Sequence, residues 1–205
     1  MPLPRNNLYP DFNISRLSHI ELGVKDLEAS FAFYVETLGL QVTEKESDYI
    51  YLRGMEERGH HSVILKKSEA PTCNILGYKV FDEEQLYKAE NYFNSKNIKT
   101  KWIERHFQGK TLLTHDIHGI PIEFYYQMDR LPTIHQKYKL YTGVKPLRID
   151  HFNVFSINVD ESVKFYSDLG FRVTEYTEDE KSKKLWAAWM HRKGTVHDIA
   201  FTNGV

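Results

Sequence analysis

One cysteine, Cys73, stands in 205 residues. That excludes an internal disulfide framework and suits a reducing compartment. Charge of one sign is missing too: 27 Lys and Arg against 28 Asp and Glu leave a formal net charge of -1. Nothing electrostatic therefore invites nucleic acid or an anionic membrane as a partner. No apolar run approaches a membrane span, and the opening MPLPRNNLYPDFN lacks the apolar core of a secretory signal. These absences predict a cytoplasmic protein. With 11 glycines and 7 prolines, low-complexity and fibrous classes are excluded as well.

What is present is a repeat. Residues 19–44 read HIELGVKDLEASFAFYVETLGLQVTE and residues 151–175 read HFNVFSINVDESVKFYSDLGFRVTE. Each opens on a His and continues to Phe-Tyr, Leu-Gly and Val-Thr-Glu. Such self-similarity fixes architecture before propensity is considered. The first unit alternates from Ser18 to Val24 as a strand. Asp26 then stands as N-cap, Leu27 to Leu38 recur at helical spacing, and Gly39 stops the helix. Strand-like runs follow at 40–44, 49–53 and 62–66. A second unit repeats the order with a strand over 75–80 and a helix opened by Asp82 and Gln85 as a capping box, with Phe81 and Leu86 as a hydrophobic staple. Its remaining strands fall at 100–104, 110–114 and 121–126. A third unit predicts a helix capped by Asp160 and ended by Gly170, then strands at 171–176, 185–191 and 196–202.

The expected fold class is α+β, built from paired βαβββ units. Residues 1–17 read as an extension, 18–126 as a first module of two units, 127–147 as a linker, and 148–205 as the first half of a second module. Half a module would leave a raw sheet edge and little buried core.

Paired βαβββ units, together with RIDHFNVF at 148–155, FRVTEYTEDE at 171–180 and WAAWMHRKGTVHDIAF at 186–201, resemble the two-domain extradiol ring-cleavage dioxygenases of the vicinal oxygen chelate superfamily. Three of that family's four units are present. The resemblance implies a scaffold module followed by a catalytic module that holds Fe(II), alternatively Mn(II), through two His and one Glu. It assigns His151 as the first metal ligand, Asn153 and Trp189 as residues lining the substrate and oxygen pocket, and His197 as the acid–base His. The other two ligands are expected beyond Val205. The implied partners are a catecholic substrate and dioxygen, and the implied assembly is a homo-oligomer, a dimer or tetramer.

The residues read alone agree in part. His151 and Asn153, at i and i+2 on a strand, face the same side. An imidazole such as that of His197 is a side-chain type suited to the transfer of a catechol proton. His19 and Glu123 occupy the corresponding places of the first module, but CNILGYKV holds no intervening His, so the pair reads as a vestige. His60-His61 reads as solvated turn, with His61 the repeat counterpart of His197. His115-x-x-His118 reads as a turn and 175–184 as a solvated hairpin. Two alternatives stand beside the dioxygenase: a glyoxalase-like lyase or isomerase, and a metal-free binding member that takes a small aromatic in its first cup.

Overall fold

The structure, a computed structural model, describes residues 3–194 and 196–204. The first unit runs β1 (Ile14–Val24), α1 (Leu27–Phe31), β2 (Gln41–Lys45), β3 (Tyr49–Arg53) and β4 (Val63–Lys67). The second runs β5 (Thr72–Val80), α2 (Glu84–Ser95), β6 (Lys101–Arg105), β7 (Gly109–His115) and β8 (Pro121–Tyr125). Their strands join in one sheet of order β2-β3-β4-β1-β5-β8-β7-β6. Within each unit the first and last strands pair in parallel, and the antiparallel β1–β5 pair fuses the two units. The third unit has β9 (Phe152–Ser156), α3 (Val159–Asp168), β10 (Arg172–Glu178), β11 (Leu185–His191) and β12 (Ile199–Asn203), in the order β10-β11-β12-β9. The expected α+β βαβββ fold is what the chain adopts.

Local chemistry explains most helix ends. The Asp26 Oδ1 accepts from the Ala29 N–H at 2.9 Å, as the N-cap reading requires. Gly39 and Gly170 follow their helices with φ of 86° and 85°, a conformation that costs a Cβ-bearing residue dearly. The first helix does not run unbroken to Leu38, because after Phe31 it widens into a π-helical turn over Ala32–Thr37.

Three expectations are corrected. The third helix is capped by Asn158, whose Oδ1 accepts from Glu161 N–H, while Asp160 lies inside the first turn and accepts from Leu185 N–H. Leu86 is buried but Phe81 is 62% exposed, so no staple forms. The Gln85 N–H does bond Asp82, yet the Gln85 Oε1 turns away to accept from Asn13 N–H, so the box is not reciprocal.

The half module is not left without a core. Tyr78 on β5 packs its ring against Phe152, Tyr166 and Phe171 of the third unit, at centroid separations of 5.8, 6.4 and 5.8 Å. Phe93 of α2 meets Phe165 of α3 at 6.4 Å. One apolar cluster therefore runs through both sheets. The buried Asp198 carboxylate joins them as well. Its Oδ1 accepts from Leu17 N–H of β1 at 2.8 Å, and its Oδ2 accepts from Arg192 and Lys193 N–H at 2.6 and 2.9 Å. The predicted raw edge does exist, since β9 is an edge strand.

Candidate active site

Strand alternation on β9 sets the site. Phe152 and Ser156 turn into the core, while His151, immediately before the strand, and Asn153 lie on the opposite, exposed side. The parallel register with β12 aligns Ile199 with Phe152, which brings the preceding His197 beside His151. Their rings stand edge to face with centroids 5.5 Å apart. Trp189 on β11 lies 6.4 Å from His197. Asn153 completes the group, its Oδ1 accepting from Thr202 Oγ1 at 3.3 Å. All four residues singled out from the sequence thus share one patch. His197, however, lies in the turn just before β12 and not on the strand itself.

Hydrogen bonds orient both imidazoles. The His151 Nδ1 faces the Asp150 Oδ2 at 2.9 Å, and that hydrogen bond, with Lys193 nearby, holds the Asp150 carboxyl below its usual range. A carboxylate can only accept, so Nδ1 carries the proton and the Nε2 lone pair is free for a metal. Thr174 Oγ1 donates to the Trp189 carbonyl at 3.1 Å and lies 3.2 Å from His197 Nδ1. With the hydroxyl proton committed, Nδ1 donates to Thr174, leaving Nε2 of His197 as a proton acceptor. A cleft of about 660 Å³ opens along the free edge of β9, lined by His151, Asn153, Phe155, Ile20 and His118. His197 and Trp189 are not part of its lining and flank it beside His151.

Among the described residues no three His, Cys, Asp or Glu side chains converge on one point that could hold a metal ion. His151 is fit to be one ligand, and one imidazole does not make a centre.

The first module carries the same geometry, enclosed. His19 and Glu21 hold the β1 places of His151 and Asn153, and the β3–β4 and β11–β12 registers equate Tyr51 with Trp189. His19 and His61 stand edge to face at 5.1 Å. Here β5 to β8 close over the cup, so His19 is fully buried while the His151 side chain is 34% exposed. His60 and His61 are buried, not solvated. Gly77, the cross-strand partner of His19, makes room for the imidazole, since a Cβ there would collide with the ring.

The cation between the two acids of this cup is Arg105, which the sequence reading missed. Its Nε donates to Glu123 Oε2 at 2.7 Å and its Nη1 to Glu21 Oε2 at 2.8 Å. Glu123 Oε1 faces His19 Nε2 at 2.8 Å and accepts from Gln108 Nε2 at 2.7 Å. Burial pushes the Glu123 carboxyl up, but His19, Arg105 and Gln108 outweigh it and hold it below its usual value. Burial, then His19 and His60, drive His61 well below the ordinary imidazole range, so it is neutral in the fold. Two buried carboxylates, Glu21 on β1 and Glu123 on β8 with only β5 between them, were the sign that a buried cation had to exist.

Paired βαβββ units are the architecture of the vicinal oxygen chelate class of α+β proteins. The chain belongs to the Glyoxalase/Bleomycin resistance protein/Dioxygenase superfamily, which matches residues 16–124 and 148–204. It is 37% identical to homoprotocatechuate 2,3-dioxygenase from Brevibacterium fuscum in its complex with 3,4-dihydroxyphenylacetate, with a TM-score of 0.91 over 99% of this chain and 64% of that one. The enzyme of the same name from Arthrobacter globiformis gives 34% identity and a TM-score of 0.91, over 100% of this chain and 64% of that one. A metapyrocatechase from Geobacillus stearothermophilus is 28% identical over 97% of this chain and 64% of its own. A manganese-dependent 2,3-dihydroxybiphenyl 1,2-dioxygenase from Geobacillus genomosp. 3 is 27% identical over 91% and 62%. The chain therefore spans about two thirds of the length of these relatives.

Proposed function

We propose that this chain serves the extradiol cleavage of a catechol by dioxygen, giving a ring-opened semialdehyde. The observation that carries the proposal is the pair of oriented imidazoles, His151 and His197, each with Nδ1 held and Nε2 free on one exposed patch. In this reading the eight-stranded sheet is scaffold and the third unit opens the catalytic module. Fe(II), alternatively Mn(II), would be held by His151 together with ligands that the described residues do not supply. That centre would supply the electronic coupling between catechol and oxygen.

The remaining work belongs to this chain. His197 Nε2 accepts the proton of a catechol hydroxyl and returns it later in the cycle, a task suited to an imidazole. Trp189 walls the ring, and Asn153 hydrogen-bonds substrate or oxygen. A cytoplasmic homo-oligomer acting on a small molecule, with neither nucleic acid nor membrane as partner, completes the proposal. Among the described residues no helix is long and apolar enough to cross a membrane.

The test is anaerobic loading with ferrous iron, then addition of 3,4-dihydroxyphenylacetate and oxygen, with the semialdehyde followed by its absorbance. The chain is assayed alone and fused to the C-terminal third of the Brevibacterium enzyme. Product is expected from the fusion, with His197→Phe slowing it on the order of 10²–10⁴-fold. An iron-loaded, folded fusion that forms no product refutes the assignment.

A further inference from the structure

At the seam between the eight-stranded sheet and the segment leading to His151 lies a cavity of about 210 Å³, smaller than a drug-sized site. We infer that it binds a small carboxylate anion, and that the occupant is sensed by the segment carrying His151. This inference is independent of the dioxygenase reading.

The charge balance around the cavity favours an anion. Arg16 and Arg58 line it, and neither has a carboxylate partner among the described residues. Arg148, also in the wall, is paired with Glu56. The other acid, Glu57, is spent on the protein: Oε2 accepts from Gly54 N–H and Ser62 Oγ, and Oε1 from Ile149 N–H. Arg16 also lies directly across the β1–β5 pair from Lys79, which burial and the charges of Arg16 and Arg130 push below its usual value. Like charges opposed in this way are destabilising.

The inner wall supplies hydrogen bonding. His61 is 3% exposed and packs into this wall, with its Nε2 turned away from the cavity toward Gln108. The hydrogen-bonded Ser18–Tyr125 hydroxyls stand beside it. Two hydroxyls and two guanidinium groups without carboxylate partners present the forked donors that a carboxylate accepts.

Coupling to His151 follows from the wall itself. Glu57 holds Ile149 N–H, Glu56 holds Arg148, and the backbone of Met55 and Glu56 bonds the carbonyls of Pro146 and Leu147. An occupant that draws on Arg148 loads the segment three residues before His151.

Benzoate, with benzamide as its neutral isostere, is the probe, titrated into the whole chain by calorimetry and by amide NMR. Saturable benzoate binding is expected, with shifts at Arg148 to His151 and at His61 but not at α2. Arg16→Gln with Arg58→Gln should weaken it at least about tenfold, which is ~1.4 kcal/mol. Arg58→Gln alone, at an exposed position, gives the same reading should the double variant fail to fold. Equal binding of benzamide, indifference to the Arg58 variant, or absence of saturation overturns the inference.

Discussion

At the scale of single residues, the chain solves the same local problem twice with opposite outcomes. His19 and His151 begin the same motif, yet one is sealed against Arg105 and Glu123 while the other keeps a free Nε2 toward solvent. Arg105 is the cation of the closed cup. Arg105→Ala would leave Glu21 and Glu123 buried without their partner, and breaking such a pair costs about 3–5 kcal/mol. Urea unfolding should show that loss, and a change under ~1 kcal/mol would mean the carboxylates are not charged in the fold. His61 makes the complementary pH prediction. Its folded pKa is depressed, so the unfolded chain takes up a proton near its ordinary value of 6.5 that the folded chain refuses. Stability should therefore fall as pH drops through that value, with a slope of at most about 1.4 kcal/mol per pH unit for this group. Glu123, whose folded pKa is lowered, contributes stability above its ordinary 4.5 and loses it only below, outside this window. Unfolding curves at pH 7.5 and 5.5, for wild type and His61→Gln, should show a shallower fall in the variant.

At the scale of elements, what was legible was set by periodicity and what was hidden was set by tertiary choice. The i, i+2 spacing of His151 and Asn153 and the repeat offset that aligns His197 with His61 were written in the chain, so the open patch could be assembled from sequence. The burial of His60 and His61 could not, because a His-His before a strand looks the same whether or not another unit folds over it. Arg105, in WIERHF on a half-buried strand, resembled an ordinary solvated residue; only the inward-facing Glu21 and Glu123 together demand it. Caps show the same limit. Asn158 and Asp160 are both good cap residues, and the turn geometry chose Asn158. Asn158→Ala should cost about 1 kcal/mol by thermal melting. Phe81→Ser, at the staple that does not form, should stay within about 0.5 kcal/mol.

At the scale of the whole molecule, the third unit is too small to fold on a core of its own, and the structure shows where it finds one. Phe152, Tyr166 and Phe171 converge on Tyr78 of β5, and Asp198 accepts backbone N–H groups from both sheets at once. Neither sheet can leave without stripping a buried carboxylate of donors and opening the shared cluster to water. Calorimetry should accordingly record one unfolding transition, with calorimetric and van't Hoff enthalpies in agreement. Asp198→Ala leaves the Leu17 N–H unpaired in the interior, at a cost of about 1–3 kcal/mol, and takes the acceptor from the half-buried Arg192 and Lys193 N–H groups as well. It should lower the melting temperature of that single transition by several degrees. The alternative outcome is equally clear. If the variant, or the wild type, separates into two transitions, the sheets are independent folding units, and the Tyr78 cluster is then a docking surface formed after each has folded.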